Sequence, residues 1–284
     1  MTIGTQDAPL PAGALVSHAP RRPARGAWRW PRLTFWGFLL PAVIIIVLEL
    51  VVNTGLVPSR LMPAPSMMLE TFDELTRQGL FLHIAVSTAR VLTGYLIGFS
   101  LAIPIGALVG LNRRAESIID PTFQALRAIP GLAWVPLLLL WLGIDEWPKV
   151  TLIAIGSFFP IYLGLISGIR NVDRKLVEVG EMYGLSSFDL VRRIFLPAAL
   201  PSLFTGLRGG LSLAWMCLVA AELIAATKGL GYLLTDGREI SRPDIVICAI
   251  VALALMGKLS DAVLKTIETR GLRWRDSFET RLSA

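Results

Sequence analysis

The chain has 284 residues, of which 54% are apolar and only 17% are charged, and its mean hydropathy is +0.63. This composition excludes disorder, which requires low hydrophobicity, and argues against a water-soluble globule, whose surface could not hide so much apolar side chain. The formal net charge of +6 is only a weak indication of nucleic-acid binding. The same excess arises when Lys and Arg collect on the cytoplasmic loops of a membrane protein. We therefore expect a membrane protein that binds no nucleic acid.

In chain order, residues 1–30 are rich in Pro, Ala and Arg and are predicted to form a flexible cytoplasmic tail. Six apolar segments follow, each expected to cross a hydrocarbon core of about 30 Å as a helix. The third, fifth and sixth have shorter uncharged runs, and the runs of the fifth and sixth are short enough to be buried core helices instead. Between the first two segments, Ser66 is predicted to cap a short helix through Leu75. The predicted spans cover about 33–52, 84–111, 122–143, 149–169, 205–225 and 244–264.

This pattern predicts an all-α, polytopic membrane protein with a transmembrane domain over 31–270 and a cytoplasmic tail over 271–284. Basic residues set its orientation. The loops before the first span, after the second, after the fourth and after the sixth hold 17 of the 27 Lys and Arg residues, whereas the opposite loops hold six. Because cytoplasmic loops carry the basic excess, both termini and the loop 170–204 are predicted to be cytoplasmic.

Small residues recur at every fourth position in three of the spans, which predicts close helix packing. A surface that slides during a conformational change is the alternative. Prolines 104, 136 and 160 add expected kinks. The small residues are Gly94, Gly98, Ala102, Gly106 and Gly110 in span two, Gly156, Gly164 and Gly168 in span four, where Pro160 takes the missing step, and Gly206, Gly210 and Ala214 in span five.

Arg127 and Arg208 lie near span ends on the predicted cytoplasmic side. They could line a pathway that attracts an anionic solute, or they could snorkel to the headgroups or form ion pairs. The same structural alternatives apply to Arg90, Glu222 and Lys258. Two Cys and two His leave little for a metal site, and none is expected.

The loop 170–204 is predicted to form a compact helix–turn–helix. Asp173 can cap a first helix that Gly184 ends, and Ser186 with Asp189 resembles the start of a second helix. Pro197 and Pro201 are expected to close that second helix before span five. The first helix would have one apolar side, which favours a docking element over a solvated connector.

Within this loop, a Glu, a Gly six residues later and an Ile-x-Leu-Pro sequence resemble the "EAA" signature of permease subunits in bacterial ABC importers. The residues are Glu178, Gly184, Ile194, Leu196 and Pro197. Val179 and Gly180 replace the two alanines of the signature. From about residue 35 onward the chain is similar to the nitrate, taurine and alkanesulfonate branch, and most similar to aliphatic sulfonate permeases. Stretches that carry this resemblance begin at Leu61 (LMPAP), Trp141 (WLGID), Gly168 (GIRNVD) and Ala220 (AAELIAA).

The resemblance implies a type I ABC importer permease in the bacterial inner membrane that works as a homodimer. It also implies cytoplasmic ATPase subunits docked on the signature residues and an external, periplasmic substrate-binding protein. No phosphate-binding loop or catalytic cluster is visible in the sequence, so we expect neither a cofactor nor enzymatic activity in this chain. Alternatives are a taurine, nitrate or other small-anion permease, an ion-coupled secondary transporter, and a membrane enzyme.

Overall fold

The computed structural model describes residues 35–58 and 62–273, with side chains from Leu39 onward. Every regular element in these residues is helical, which confirms the predicted all-α class. The predicted tail 1–30 and most of the tail 271–284 lie outside the described residues. The helices are α1 (Phe35–Asn53), α2 (Pro65–Gln78), α3 (Leu80–Leu111), α4 (Arg113–Ala128), α5 (Val135–Leu142), α6 (Glu146–Arg170), α7 (Arg174–Met182), α8 (Ser187–Leu190), α9 (Leu196–Ala225), α10 (Leu230–Glu239) and α11 (Pro243–Gly271).

The chain divides into two units, residues 1–46 and residues 47–284, and every contact described below lies within the second. In the described residues, four helices are long and apolar enough to cross a membrane: α3, α6, the continuous helix Ser187–Ala225, and α11. Helices α4 and α5 together would make a fifth. The apolar part of α1, Leu39–Asn53, is shorter than these. The predicted count of six spans is therefore not confirmed in number.

The third predicted span, 122–143, differs most from its prediction, because it is not one straight helix. Helix α4 ends at Ala128, and the following pair, Gly131–Trp134 with α5, leaves at a bend of 91°. Ile129 has an extended backbone and precedes Pro130, and a residue before proline is sterically disfavoured in the α conformation. The break in the apolar helix follows from that one proline.

The small residues predicted to bring helices together do so at the α3–α6 and α6–α9 contacts. A Cβ atom added to Gly164 would lie 2.8 Å from the Cα atom of Gly206, and one added to Gly206 would lie 2.6 Å from the carbonyl oxygen of Pro160. A Cβ atom on Gly98 would lie 2.7 Å from the carbonyl oxygen of Ala154. Backbones this close give helices their packing energy in a bilayer, where the hydrophobic effect does not drive association.

The expectation that Pro197 and Pro201 end a helix before span five is wrong. The helix continues from Ser187 to Ala225, with a wider π turn over Val191–Phe195. This turn ends just before Pro197, whose ring would otherwise clash with the carbonyl group four residues earlier. One extra residue in the turn therefore lets the helix pass the proline.

The start of α2 also differs from its prediction. The helix begins at Pro65, with Ala64 rather than Ser66 in the capping position. Ser66 instead donates from its N–H and hydroxyl groups to the carboxylate of Glu49, at 3.1 and 2.8 Å. Proline is well placed in a first helical turn because the N–H group it lacks has no partner there. Glu49, the charge that interrupts the first apolar segment, thus holds the first turn of α2.

Candidate functional site

The loop after α6 carries the signature residues, and its first helix forms as predicted. The carboxylate of Asp173 accepts a hydrogen bond from the N–H group of Lys175 at 2.9 Å and so caps α7. At the other end, Gly184 has φ +72°, its N–H group donates to the carbonyl of Glu181, and that of Leu185 donates to the carbonyl of Gly180. This pair of bonds is a Schellman motif, which favours glycine at the left-handed position.

The second helix also starts as predicted. The N–H group of Asp189 donates to the hydroxyl oxygen of Ser186 at 3.2 Å, and that hydroxyl donates to the Asp189 carboxylate at 2.7 Å. The two short helices therefore have their end groups satisfied by residues inside the loop. The path of the backbone between α7 and α9 is set locally.

Gly180, one of the two departures from the signature, is buried where α7 crosses α8 and the π turn. A Cβ atom added there would lie 2.6 Å from the terminal methyl groups of Ile194 and Leu190. The cost of glycine in a helix is thus offset by a closer approach of α7 to the following helix. Ile194 of the signature belongs to this contact and packs α7 onto the helix that enters the membrane-spanning part.

Much of the apolar side of α7 is exposed. Met182 is 87% exposed and Tyr183 84% exposed, and Leu176 and Val179 are about half exposed. Next to them an open cavity of about 650 Å³ lies between α7 and the start of α9, with Pro197 on its wall. Large apolar side chains exposed together on a polar loop are typical of a protein interaction site.

Glu178 and Leu196 complete the signature. Glu178 lies on the exposed surface of α7 and forms an ion pair with Arg174 at 3.0 Å, and Leu196 is 48% exposed. The structure thus brings Gly184, Ile194 and Pro197 together around one short helix and leaves Glu178 accessible. Their role in binding a partner stays a prediction.

The two arginines predicted as anion-attracting residues lie in different surroundings. Arg208 is held by the carboxylate of Asp261, which accepts from Nε at 2.8 Å and from Nη2 at 3.0 Å, and Glu268 lies 3.7 Å away. Arg208 is therefore neutralised by α11, in agreement with the ion-pair alternative. Arg127 lies exposed in the last turn of α4.

Sequence reasoning offered ion pairing for Arg90 and Glu222, but it missed the cluster of charges that these two residues form with Glu146 and Lys149. Arg90 on α3 and Glu222 on α9 are 6% and 1% exposed, and Nη1 of Arg90 donates to Glu222 Oε1 at 2.8 Å. The other nitrogens of Arg90 donate to the carboxylate of Glu146 at 2.6 and 2.7 Å, and Nζ of Lys149 lies 3.2 Å from it. We call Arg90, Glu146, Lys149 and Glu222 the charge cluster. Its two positive and two negative groups cancel.

The charge cluster is joined to the connection between α9 and α10 by further hydrogen bonds. Glu222 accepts from the hydroxyl of Ser87 at 2.8 Å and from the N–H group of Gly231 at 2.7 Å, and Arg90 donates to the carbonyl of Lys228. A buried polar network of this kind is rigid when all its members are satisfied. It fixes α3, α6, α9 and the following connection to one another.

Two positions of this connection, Gly229 and Gly231, require glycine because there is no room for a side chain. A Cβ atom on Gly229 would collide with the Glu222 carboxylate, and one on Gly231 would lie 2.6 Å from the Cβ atom of Glu222. The N–H and carbonyl groups of Gly229 also contact Nδ1 of His83, which stacks on Tyr232. His83 is thus half-buried and held against this connection.

A sequence signal for the charge cluster did exist. Arg90 and Glu222 lie at the ends of their predicted spans that share one side of the membrane, and Glu146 lies in a loop on that same side. Opposite charges at equal depth on different spans favour pairing, because an unpaired charge within a bilayer is costly. Which helices are neighbours was the missing information.

Comparison with known proteins agrees with this architecture. Residues 94–272 match the model of the family "Binding-protein-dependent transport system inner membrane component". The chain is 40% identical over 260 residues to a Bacillus subtilis (strain 168) protein named aliphatic sulfonates transport permease protein SsuC, covering 91% of this chain and 93% of that one. It is 32% identical over 255 residues to the taurine transport system permease protein TauC of Escherichia coli (strain K12), covering 87% and 93%.

A solved structure of the MetNI methionine ABC transporter in an inward-facing conformation has the same fold. The TM-score is 0.59 at 19% identity, over 70% of this chain and 98% of that chain. The fold is therefore that of a type I ABC importer permease, and the apolar helices are those of a multi-pass membrane protein. Together with the family match, this shows that the chain belongs to the family of binding-protein-dependent transport system inner membrane components.

Proposed function

We propose that this chain is the permease subunit of an ATP-driven importer that carries aliphatic sulfonates across the bacterial inner membrane. The observation that carries this proposal is the likeness to the sulfonate permease, which extends over nine-tenths of both chains. Solutes named for the relatives also share chemistry, since sulfonates and taurine both carry a sulfonate group. Taurine is the second candidate solute, because the taurine permease matches over most of its length as well.

The exposed apolar side of α7 supports an ATPase subunit as its partner. The helix is capped at both ends, it exposes Met182 and Tyr183, and the cavity beside it offers a groove for a partner side chain. Two copies of this chain would present two such helices to two ATPase subunits. Closure of the ATPases on ATP would draw the two helices together and turn the pathway outward, and hydrolysis would reset it. Hydrolysis would then reside in the partner and not in this chain.

The orientation follows from the basic residues of the loops. We place both termini and α7 in the cytoplasm and α2 and α10 on the external side, where a substrate-binding protein would deliver the solute. Residues 31–270 would form the permease domain and the two tails would lie in the cytoplasm. Single cysteines at Ser187 and Leu69, both exposed, test this orientation. In intact cells an impermeant maleimide should label position 69 and spare 187, and the reverse pattern would overturn it.

Arg127 remains the candidate for an anion-attracting residue at the cytoplasmic end of the pathway, because it is exposed at the bend between α4 and the following turn. Arg208, which has Asp261 as its partner, would contribute only if that ion pair opened during transport. Loss of transport in Arg127→Gln, with Arg114→Gln as the control at an exposed position in the first turn of α4, would support this assignment.

The experiment that tests the function is growth on single sulfur sources. A strain lacking this gene should fail to grow on alkanesulfonates while growing on sulfate, and the gene supplied in trans should restore growth. A strain that fails to grow on taurine but grows on alkanesulfonates would favour taurine, the second candidate solute. Uptake that survives loss of the ATPase and collapses with an ionophore would instead indicate an ion-coupled transporter.

A further inference from the structure

A second cavity, of about 580 Å³, lies at the end of the bundle that carries the charge cluster. Its walls come from the end of α9, one side of α10 and the beginning of α11. Most of the surface is apolar, with Leu223, Leu234, Val246 and Ile250 contributing. Gly237 closes it at one side, since a Cβ atom there would lie 3.0 Å from Val246 and 3.1 Å from Ile245.

The polar groups of this cavity are few and lie together. Thr235 and Arg238 are three residues apart on α10, and Ser241 follows where the helix has ended. The hydroxyl oxygen of Thr235 is shielded from solvent and has no hydrogen-bond partner among the described residues. A buried hydroxyl without a partner costs free energy. Thr235 lines the cavity with its other atoms, so a rotation of its side chain would turn the oxygen to the wall, where a bound acceptor would recover that cost.

Arg238 differs from the other arginine in this region. Arg242 is held by the carboxylates of Glu74 and Asp244, at 2.8 and 2.7 Å. Over residues 35–58 and 62–273, Arg238 forms no such ion pair. The two acidic side chains of α10 do not line the cavity, and the carboxylate of Asp236 lies 3.5 Å from the hydroxyl of Tyr232. The guanidinium group is therefore available to an anion.

We propose that this cavity binds an alkanesulfonate, with the sulfonate on Arg238 and Thr235 and the alkyl chain on the apolar wall. The inference rests on the proposed function and deepens it. A sulfonate has three acceptor oxygens and one fixed negative charge, and it needs donors only, which a guanidinium and a hydroxyl supply. Ligand sites commonly combine a mostly apolar lining with a few polar groups that fix orientation. The cavity would be the first site that the solute meets in the permease.

Binding can be measured without transport, by protection of a cysteine in the cavity. In a background with Cys217→Ala and Cys248→Ala, Ile250→Cys places a thiol on the wall and Leu69→Cys places a control thiol on exposed α2. Octanesulfonate should slow maleimide labelling at position 250 several-fold and leave position 69 unchanged. Octyl alcohol should protect less, because it lacks the charge. Equal labelling rates with and without octanesulfonate would overturn the proposal.

The second test measures alkanesulfonate uptake by the full assembly, with ATPase and binding protein, in proteoliposomes. Arg238→Gln should lower alkanesulfonate uptake at least tenfold, Arg238→Lys should retain part of it, and Thr235→Val should lower it several-fold. Arg114→Gln is the matched control, because Arg114 is an exposed arginine in the first turn of α4, away from the cavity and from the external side. Unchanged uptake in Arg238→Gln and Thr235→Val would reject the site while leaving the proposed function intact. No uptake of any alkanesulfonate by the unaltered assembly, with protection at position 250 preserved, would reject the function and leave the site.

Discussion

The loop that carries α7 and the charge cluster both hold polar residues, but they are built in opposite ways. In the loop, partners are close in sequence. Asp173 accepts a hydrogen bond from the N–H group two residues later, and Glu178 forms an ion pair with Arg174, four residues earlier. In the charge cluster, Arg90 reaches Glu222 across 132 positions, and both of these side chains are buried. Exposed pairs contribute little to stability, whereas removing one partner of a buried pair is strongly destabilising. The loop is therefore expected to govern function with little effect on folding, and the charge cluster the reverse.

The largest effect is expected at Glu222. Glu222→Leu removes the acceptor of the Ser87 hydroxyl and of the Gly231 N–H group, and it takes one carboxylate from the buried guanidinium of Arg90, which keeps Glu146 and the carbonyl of Lys228. This should lower the free energy of unfolding by about 3 kcal/mol, the lower end of the range for a broken buried pair. Thermal unfolding of the purified protein in detergent measures this loss. The double variant Arg90→Met with Glu222→Leu should recover part of it, because both charges are removed together. A double variant as unstable as the sum of the single variants would contradict a direct pairing.

Two glycines with positive φ, one in the loop and one beside the charge cluster, allow the same comparison. Gly229 has φ +130° and its missing Cβ position is filled by the Glu222 carboxylate, whereas Gly184 has φ +72° with open space around it. Gly184→Ala should lower the free energy of unfolding by about 1–2 kcal/mol, from backbone strain alone. Gly229→Ala should cost more, because strain and a collision with the charge cluster combine. Unfolding of the two variants under identical conditions gives the comparison, and equal losses would show that the carboxylate moves aside at no cost.

The loop should show its importance in coupling. Gly184→Val and Glu178→Lys are expected to leave membrane insertion intact while weakening co-purification with the ATPase and abolishing uptake. The first re-aims the helix that follows α7, and the second reverses a charge on its exposed surface. Asp73→Lys on α2, another exposed member of a pair four residues apart, is the matched control. Normal co-purification and uptake in both loop variants would mean that the loop merely connects two spans.

The smallest effect concerns pH. The Arg242 guanidinium bound to Glu74 holds the pKa of that carboxyl below its ordinary value of 4.5. A carboxyl with a lowered pKa stabilises the folded state above its unfolded pKa, and this contribution is lost as the pH falls through the folded value. The contact of α2 with α11 should therefore loosen only below about pH 4.5, as hydrogen exchange in α2 would reveal. Glu74→Gln should weaken this dependence, with Asp244 left as the carboxylate that accepts from Arg242 and from Thr71 of α2. Glu70→Gln, a change of equal charge on the same helix, should keep the dependence in full.

Much of the fold was predictable because its signals are local. Uncharged runs marked α3, α6 and α11, and the four-residue spacing of glycines marked the surfaces on which α3, α6 and α9 meet. The errors were local too. The bend after Ala128 and the passage of the helix through Pro197 both depend on how the backbone accommodates a proline, by an extended residue in one case and by a π turn in the other. A proline alone does not say which of the two will occur.

The sequence by itself determined the all-α class, the caps of α7 at Asp173 and Gly184, and the family signature. Each of these depends on residues within one or two helical turns, where geometry is set by the chain's own backbone. Only the tertiary structure decided which charges are paired: Arg208 pairs with Asp261, Arg90 pairs with Glu222, and Arg238 lines a cavity. Pairing between distant residues follows from which helices are neighbours, and that arrangement is a property of the packed bundle and not of any single segment.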